Sequence, residues 1–272
     1  MTYKEIFQNI QAKQAFLCVG LDADRSLLPA CVCDERDALL VFNREIIEAT
    51  APYAVAYKLN TAFYEAEGAN GWAQLVDTVE FIRNYYPDML IIADAKRGDI
   101  GNTAQRYAKA FLKEMDVDAV TLTPYMGMDS IQPFLKYKDK WSIVLALTSN
   151  DTASDFELQP LANGRLLYHE VIEKCCQRGT KEQMMFVVGA TRPEELAEIR
   201  KMAPDYFLLV PGVGAQGGNL AEVAKYGMNN HCGLLVNASR DIIYASSGAD
   251  FAQAAGNRAA EIAKEMSCLL NI

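Results

Sequence analysis

Histidine is nearly absent: the 272 residues contain two, His169 and His231. Neither stands at zinc-like spacing from a cysteine pair, and the chain has no CxxC motif, which excludes the common zinc sites. Both read as ordinary structural or surface histidines, and no metal site is expected. Long apolar runs are missing as well. The longest, FLCVGL at 16–21 and SIVLAL at 142–147, fall far short of the ~20 residues needed to span a bilayer, so no membrane segment is expected. Positive charge is in deficit, with 26 Lys and Arg against 35 Asp and Glu. A net charge of -9 supplies no long-range attraction to nucleic acid or anionic membranes, which are not expected as partners. The seven cysteines are odd in number, and no basic stretch with an apolar core and cleavage site precedes them. A reduced, cytoplasmic setting is therefore expected. No Ser/Pro/Gly-rich linker and no repeat with a shared motif divides the chain, which predicts one domain over 1–272.

What is present points to a folded α/β protein. A composition of 51% hydrophobic and 22% charged residues can build a core and excludes disorder. Eight short apolar runs recur at 16–22, 54–60, 89–96, 119–124, 142–149, 184–191, 206–213 and 233–239. They are continuously apolar rather than alternating, as suits strands of a parallel sheet buried on both faces. Stretches with helical spacing follow each run, at 36–50, 71–86, 102–114, 129–137, 165–178, 193–202, 219–226 and 248–270. Eight strand–helix units in a chain close to the roughly 250 residues of that architecture predict a single closed (β/α)8 TIM barrel. A doubly wound open sheet is the alternative, but the first strand-to-helix turn reads GLDADRS and lacks the glycine fingerprint such sheets often carry. Residues 150–164 form the insertion most like a lid.

Active sites of such barrels lie at the C-terminal ends of the strands. Those ends carry Asp22, Lys58 and Asn60, then Asp94, Lys96 and Asp99, then Thr148 and Ser149. The segment ADAKRGDIGNTA at 93–104 is the most informative. Asp94 and Lys96 are two apart on a strand, so both side chains are expected on one face, within reach of each other. Gly98 and Gly101 let the chain turn sharply beside Asp99, whose carboxylate then points back to the site or outward to a neighbouring subunit. The plainer alternative is a salt-bridged strand end followed by a helix-capping acid. Strand 7 ends in PGVGAQGG at 211–218, and strand 8 runs into NASRDIIY at 237–244. Glycines admit phosphate oxygens to backbone N–H groups, a helix N-terminus adds its dipole, and Arg240 can bind two oxygens at once. A simple tight turn is the competing reading of that loop.

With these residues in view, the chain resembles the orotidine 5'-phosphate decarboxylase family over nearly its whole length, in the family's longer bacterial branch. The resemblance rests on DAKRGDIGNTA with an upstream strand 2 lysine, on PGVGAQGG, and on the arginine after strand 8. It implies a catalytic array of Lys58, Asp94, Lys96 and Asp99. It also implies substrate contacts from Asp22 to the ribose, from Ser149 to the pyrimidine, and from Thr103, Pro211, Gln216, Gly218 and Arg240. The implied reaction converts orotidine 5'-monophosphate to UMP and CO2 with no metal, flavin, pyridoxal or thiamine. The implied assembly is a homodimer in which Asp99 and Thr103 enter the partner's site. One departure stands out: many members carry Gly-Arg-Ser after strand 8, whereas here Ala238-Ser239-Arg240 is followed by an aspartate. Two other readings remain open at this level, a Mg2+-dependent sugar-phosphate lyase and a non-catalytic barrel that binds a phosphorylated metabolite.

Overall fold

The apolar runs become eight parallel strands, hydrogen-bonded in chain order and closed β1 to β8, in a computed structural model that describes residues 1–213 and 218–270. They are β1 (Leu17–Gly20), β2 (Ala54–Asn60), β3 (Leu90–Arg97), β4 (Ala119–Leu122), β5 (Trp141–Leu147), β6 (Met184–Val188), β7 (Phe207–Pro211) and β8 (Leu234–Ala238). Closure runs through Leu17, Cys18 and Val19 opposite Val236, Asn237 and Ala238. Almost every strand residue is buried, because one face fills the barrel and the other meets the helices. Most strands stop short of the apolar run that predicts them. The 184–191 run, for example, ends as strand at Val188, and Gly189–Thr191 peel away to form part of the rim.

The outer layer comprises α1 (Tyr3–Lys13), α2 (Ala38–Thr50), α3 (Thr61–Glu65), α4 (Gly68–Tyr85), α5 (Gly101–Lys109), α6 (Gln132–Leu135), α7 (Leu167–Cys176), α8 (Pro193–Met202), α9 (Leu220–Gly227), α10 (Arg240–Ile243) and α11 (Phe251–Leu269). All eight expected helical stretches are present, the third continuing past α5 as a π turn over Ala110–Glu114 that buries Phe111 and Leu112. Three helices fall outside the predicted set: α1, α3 and α10. Helix α1 starts at a capping box in which the Thr2 hydroxyl accepts from the Glu5 N–H and the Glu5 carboxylate accepts from the Thr2 N–H. It lies across the N-terminal end of the barrel. The Tyr3 ring packs 4.9 Å from Phe207 at the start of β7, and Trp141 at the start of β5 donates to the Met1 carbonyl at 2.8 Å. No helix among the described residues is long and apolar enough to cross a membrane.

A buried polar network holds the first strand end in place. The Tyr64 hydroxyl donates to the Leu21 carbonyl at 2.8 Å and accepts from the Asn43 amide at 2.8 Å, and that amide also donates to Thr78 at 3.2 Å. The chain turns into Asp22 directly after this anchored carbonyl. Tyr64→Phe strands the carbonyl and weakens the hold on Asn43, so it should lower unfolding free energy by about 1–3 kcal/mol. Urea unfolding reads this directly, and an unchanged midpoint would show that the network is incidental.

Candidate active site

Three strand ends converge on one carboxylate. The Lys58 ammonium, from β2, donates to Asp94 Oδ2 at 2.9 Å and lies 3.4 Å from Asp22 Oδ1 beyond β1. The Lys96 ammonium donates to Asp94 Oδ1 at 2.7 Å. The same oxygen accepts from the Thr121 hydroxyl of β4 at 2.9 Å. Asp94 thus accepts from three donors, two of them ammonium groups, an arrangement that favours its ionised form.

Asp94 and Lys96 do meet as expected, though not by simple strand alternation. Ala93 pairs with Val120 and Arg97 pairs with Leu122, so Asp94, Ala95 and Lys96 bulge opposite Thr121 alone. Lys96 has φ +46°, a left-handed conformation that costs a non-glycine residue about 1–2 kcal/mol. Its side chain is about half exposed, whereas Lys58 and Asp94 are buried. One end of the relay is therefore fixed in the protein and the other faces the cavity.

Burial by itself would push the Asp94 carboxyl up and the Lys58 ammonium down. The facing charges win in both cases. Lys58 and Lys96 hold Asp94 well below the usual carboxylate range, and Asp22 and Asp94 hold Lys58 above the usual lysine range. Beneath them, burial pushes the Cys18 thiol up to about 12, which leaves it neutral and unreactive, 3.6 Å from Asn237 Oδ1.

The cavity above this relay has a volume of about 310 Å³. Asp22, Lys58, Asp94, Lys96, Ser149, Pro211 and Arg240 all line it, so most of the site residues expected from sequence meet in one place. Asp99, Thr103 and Gly218 do not line it. The Asp99 carboxylate accepts from the Ile100 N–H at 2.7 Å, and Thr103 is exposed on α5. Gly218 sits behind the wall, its N–H donating to the Gly212 carbonyl at 3.1 Å. A Cβ on it would stand 2.6 Å from the Ala190 methyl and 2.8 Å from that carbonyl, so only glycine fits the approach. Gln216 lies outside the described residues.

Arg240 is exposed at the start of α10, and among the described residues no carboxylate lies within ion-pair distance of it. The adjacent Asp241 is taken by Arg258, whose Nε and Nη2 donate to one oxygen at 3.0 and 2.8 Å. The aspartate that interrupts the commoner motif is thus paired from α11 and not with the neighbouring Arg240. Ser149 stands where Gly189 leaves room: a Cβ on Gly189 would meet the Ser149 backbone nitrogen at 2.8 Å. Sequence reasoning missed Glu157, in the lid-like insertion, whose carboxylate accepts from Thr148 N at 2.7 Å and from its hydroxyl at 3.0 Å. It missed Thr121 too, which in an apolar run reads as an ordinary strand former.

Linkage fixes the pH window of the relay. A carboxylate with a lowered native pKa contributes stability above its ordinary value, 3.8 for Asp94, and loses it as the pH falls through the native value. A lysine with a raised native pKa contributes below its ordinary value, 10.5 for Lys58, and loses this as the pH rises through the native value. Asp94→Asn should therefore show a stability deficit that is constant over about pH 5–9 and narrows below about pH 4. Urea titrations at several pH values measure it, and a deficit that stays constant through acid would show that the lysines do not hold Asp94 ionised.

Comparison with known proteins supplies the identification. A family model described as orotidine 5'-phosphate decarboxylase / HUMPS family matches residues 15–255. The chain is 52% identical over 270 residues to the orotidine 5'-phosphate decarboxylase of Phocaeicola vulgatus, covering 99% of each. It is 53% identical over 271 residues to that of Parabacteroides distasonis, covering 100% of this chain and 97% of the relative. Among solved structures it matches the Leishmania donovani OMP decarboxylase with a TM-score of 0.81 at 35% identity, over 98% and 99% of the two chains. The family model carries two names, and both relatives, matched over 99% and 97% of their length, carry the first of them. Barrel, site and relatives agree: this chain belongs to the orotidine 5'-phosphate decarboxylase family.

Proposed function

We propose that this chain decarboxylates orotidine 5'-monophosphate at C6 to give UMP and CO2, the last step of de novo UMP formation, with Lys96 as cation and proton donor. The observation that carries this reading is the relay itself, in which a half-exposed ammonium is presented to the cavity by a carboxylate that a second, buried ammonium keeps charged. The bond from C6 to the carboxyl carbon breaks, CO2 leaves, and the electron pair stays on C6. A fixed positive charge beside C6 stabilises that pair as it develops. Lys96 then gives a proton to C6, completing the C–H bond of UMP, and its amine regains a proton from solvent. Asp94 would lie near the departing carboxylate and holds Lys96 in place.

Two alternatives fall away. A sugar-phosphate lyase working through Mg2+ would need carboxylates free to ligate, whereas both Asp94 oxygens face ammonium groups. Among the described residues no group of three or more His, Cys, Asp or Glu side chains is arranged to hold a metal. A mere phosphometabolite receptor would leave the relay without a task. In the decarboxylase reading, phosphate and ribose are remote from the reacting carbon, so contacts from Arg240, Gln216 and Asp22 contribute binding energy that orients the substrate. The seven free cysteines fit a cytoplasmic setting.

The assembly we propose is a homodimer with shared sites. Asp99, on the turn that follows β3, and Thr103, in the first turn of α5, stand outside their own chain's cavity. Around them the loops leaving β3, β4 and β5 expose Ile100, Tyr125, Met126 and Phe156, with the Tyr125 and Phe156 rings 6.3 Å apart. Large apolar side chains exposed together at one end of a molecule mark an interaction surface. A two-fold axis there would bring each Asp99 to the other site.

Two outcomes test this reading. Arg240→Ala should weaken phosphate-bearing ligands such as UMP by about 1.5–3 kcal/mol and leave uridine binding nearly unchanged, as for a charge-assisted contact remote from the ring. Equal losses for both ligands, measured by calorimetry, would move the phosphate site elsewhere. Lys96→Ala and Asp99→Ala should each reduce turnover below about a tenth of wild type. Mixing the two inactive chains should restore activity, since one site of a mixed dimer keeps both residues. No recovery despite demonstrated subunit exchange would reject shared sites.

A further inference from the structure

Thr121 stands where the structure departs furthest from regular sheet geometry. Its neighbours on β4, Val120 and Leu122, pair with Ala93 and Arg97 on β3. Three residues of β3, Asp94 to Lys96, are therefore spanned by this one residue of β4. An ordinary ladder would leave a backbone group of the bulge without a partner, and here a side chain substitutes. The Thr121 hydroxyl accepts from the Lys96 N–H at 2.9 Å and donates to Asp94 Oδ1 at 2.9 Å. The residue is fully buried.

A hydroxyl has one proton and two acceptor lone pairs. Accepting from the Lys96 N–H engages one lone pair and directs the proton away from that nitrogen, toward the carboxylate. One atom thus serves two tasks. It pins the backbone of Lys96 in the left-handed conformation that aims its ammonium at the cavity, and it supplies the third donor to the carboxylate that the ammonium leans on. Valine has nearly the same shape and can do neither.

We propose that Thr121 is a positioning residue for the decarboxylation, fixing the direction of Lys96 and the orientation of the Asp94 carboxylate without touching substrate. The proposal rests on the assignment of Asp94 and Lys96 to catalysis. It implies that the hydroxyl serves the transition state more than substrate binding, because the geometry it maintains is that of the group at the reacting carbon. Phosphate and ribose contacts lie elsewhere.

The test compares Thr121→Val, Thr121→Ala and Thr121→Ser with wild type in steady-state decarboxylation and thermal melting. Val and Ala should each lower kcat by about 10- to 100-fold, the range for losing a hydrogen bond to a charged group, with KM changed by less than about threefold. Ser, which keeps the hydroxyl, should stay within about threefold of wild type in both constants. If Val fails to fold, Ala carries the comparison. Near wild-type kcat in Val or Ala overturns the proposal, as does a loss confined to KM or to melting temperature, or a Ser variant no better than Ala. Failure of the underlying assignment is separate: it would appear as retained turnover in Lys96→Ala, whatever Thr121 variants do.

Discussion

One carboxylate has to stay charged inside a barrel, and the rim is arranged around that demand. Desolvation works against an ionised Asp94, and a lone buried charge would be neutralised or expelled. Lys58 answers from one side, but a buried lysine has the same difficulty and is held in turn by Asp22. Charge is therefore passed along a chain of alternating sign from the interior to the cavity, ending on an ammonium that still meets solvent. Removing any inner member leaves an unpaired charge at depth, which typically costs about 3–5 kcal/mol. In the proposed reaction, stability and reactivity rest on the same atoms.

Local backbone conformation carries the rest of the arrangement. A regular β3 would continue pairing with β4 to its end, and the bulge breaks the pattern at the point where chemistry is needed. Bulges next to active sites commonly re-aim side chains in this way. The left-handed Lys96 stores modest strain that a fully packed surrounding can hold. The Glu157 carboxylate does comparable work on the opposite wall, tying the 150–164 excursion to Thr148 beside Ser149.

The barrel was legible because parallel strands buried on both faces write themselves as unbroken apolar runs, and β2 is found at the residues predicted for it, 54–60. Strand ends were less legible, since Gly189 and Ala190 look apolar yet belong to the rim. Helix α1 is weakly marked because Ile6 and Ile10 are its only two fully buried residues, although the Thr2-Glu5 spacing announces a helix start. Charged members of the site could be found from their position at strand ends. Thr121 could not, because its role depends on a register shift that no local pattern records. Asp99 and Thr103 were legible as motif members, although the structure places both outside the cavity of their own chain.

The pairing of Asp241 with Arg258 has an effect on how substrate arrives. It leaves Arg240 as surplus positive charge at the mouth of a protein whose net charge is -9. A nucleotide monophosphate approaching from afar therefore meets a weakly repulsive field, and attraction takes over only within about one Debye length, ~8 Å at physiological ionic strength. With Arg240 as the proposed phosphate contact, salt then acts in opposite senses on the two stages of capture: it eases the approach by screening the whole molecule, and it loosens that contact by screening the arginine. Ionic strength should accordingly affect association and retention separately, in a way no single electrostatic slope describes.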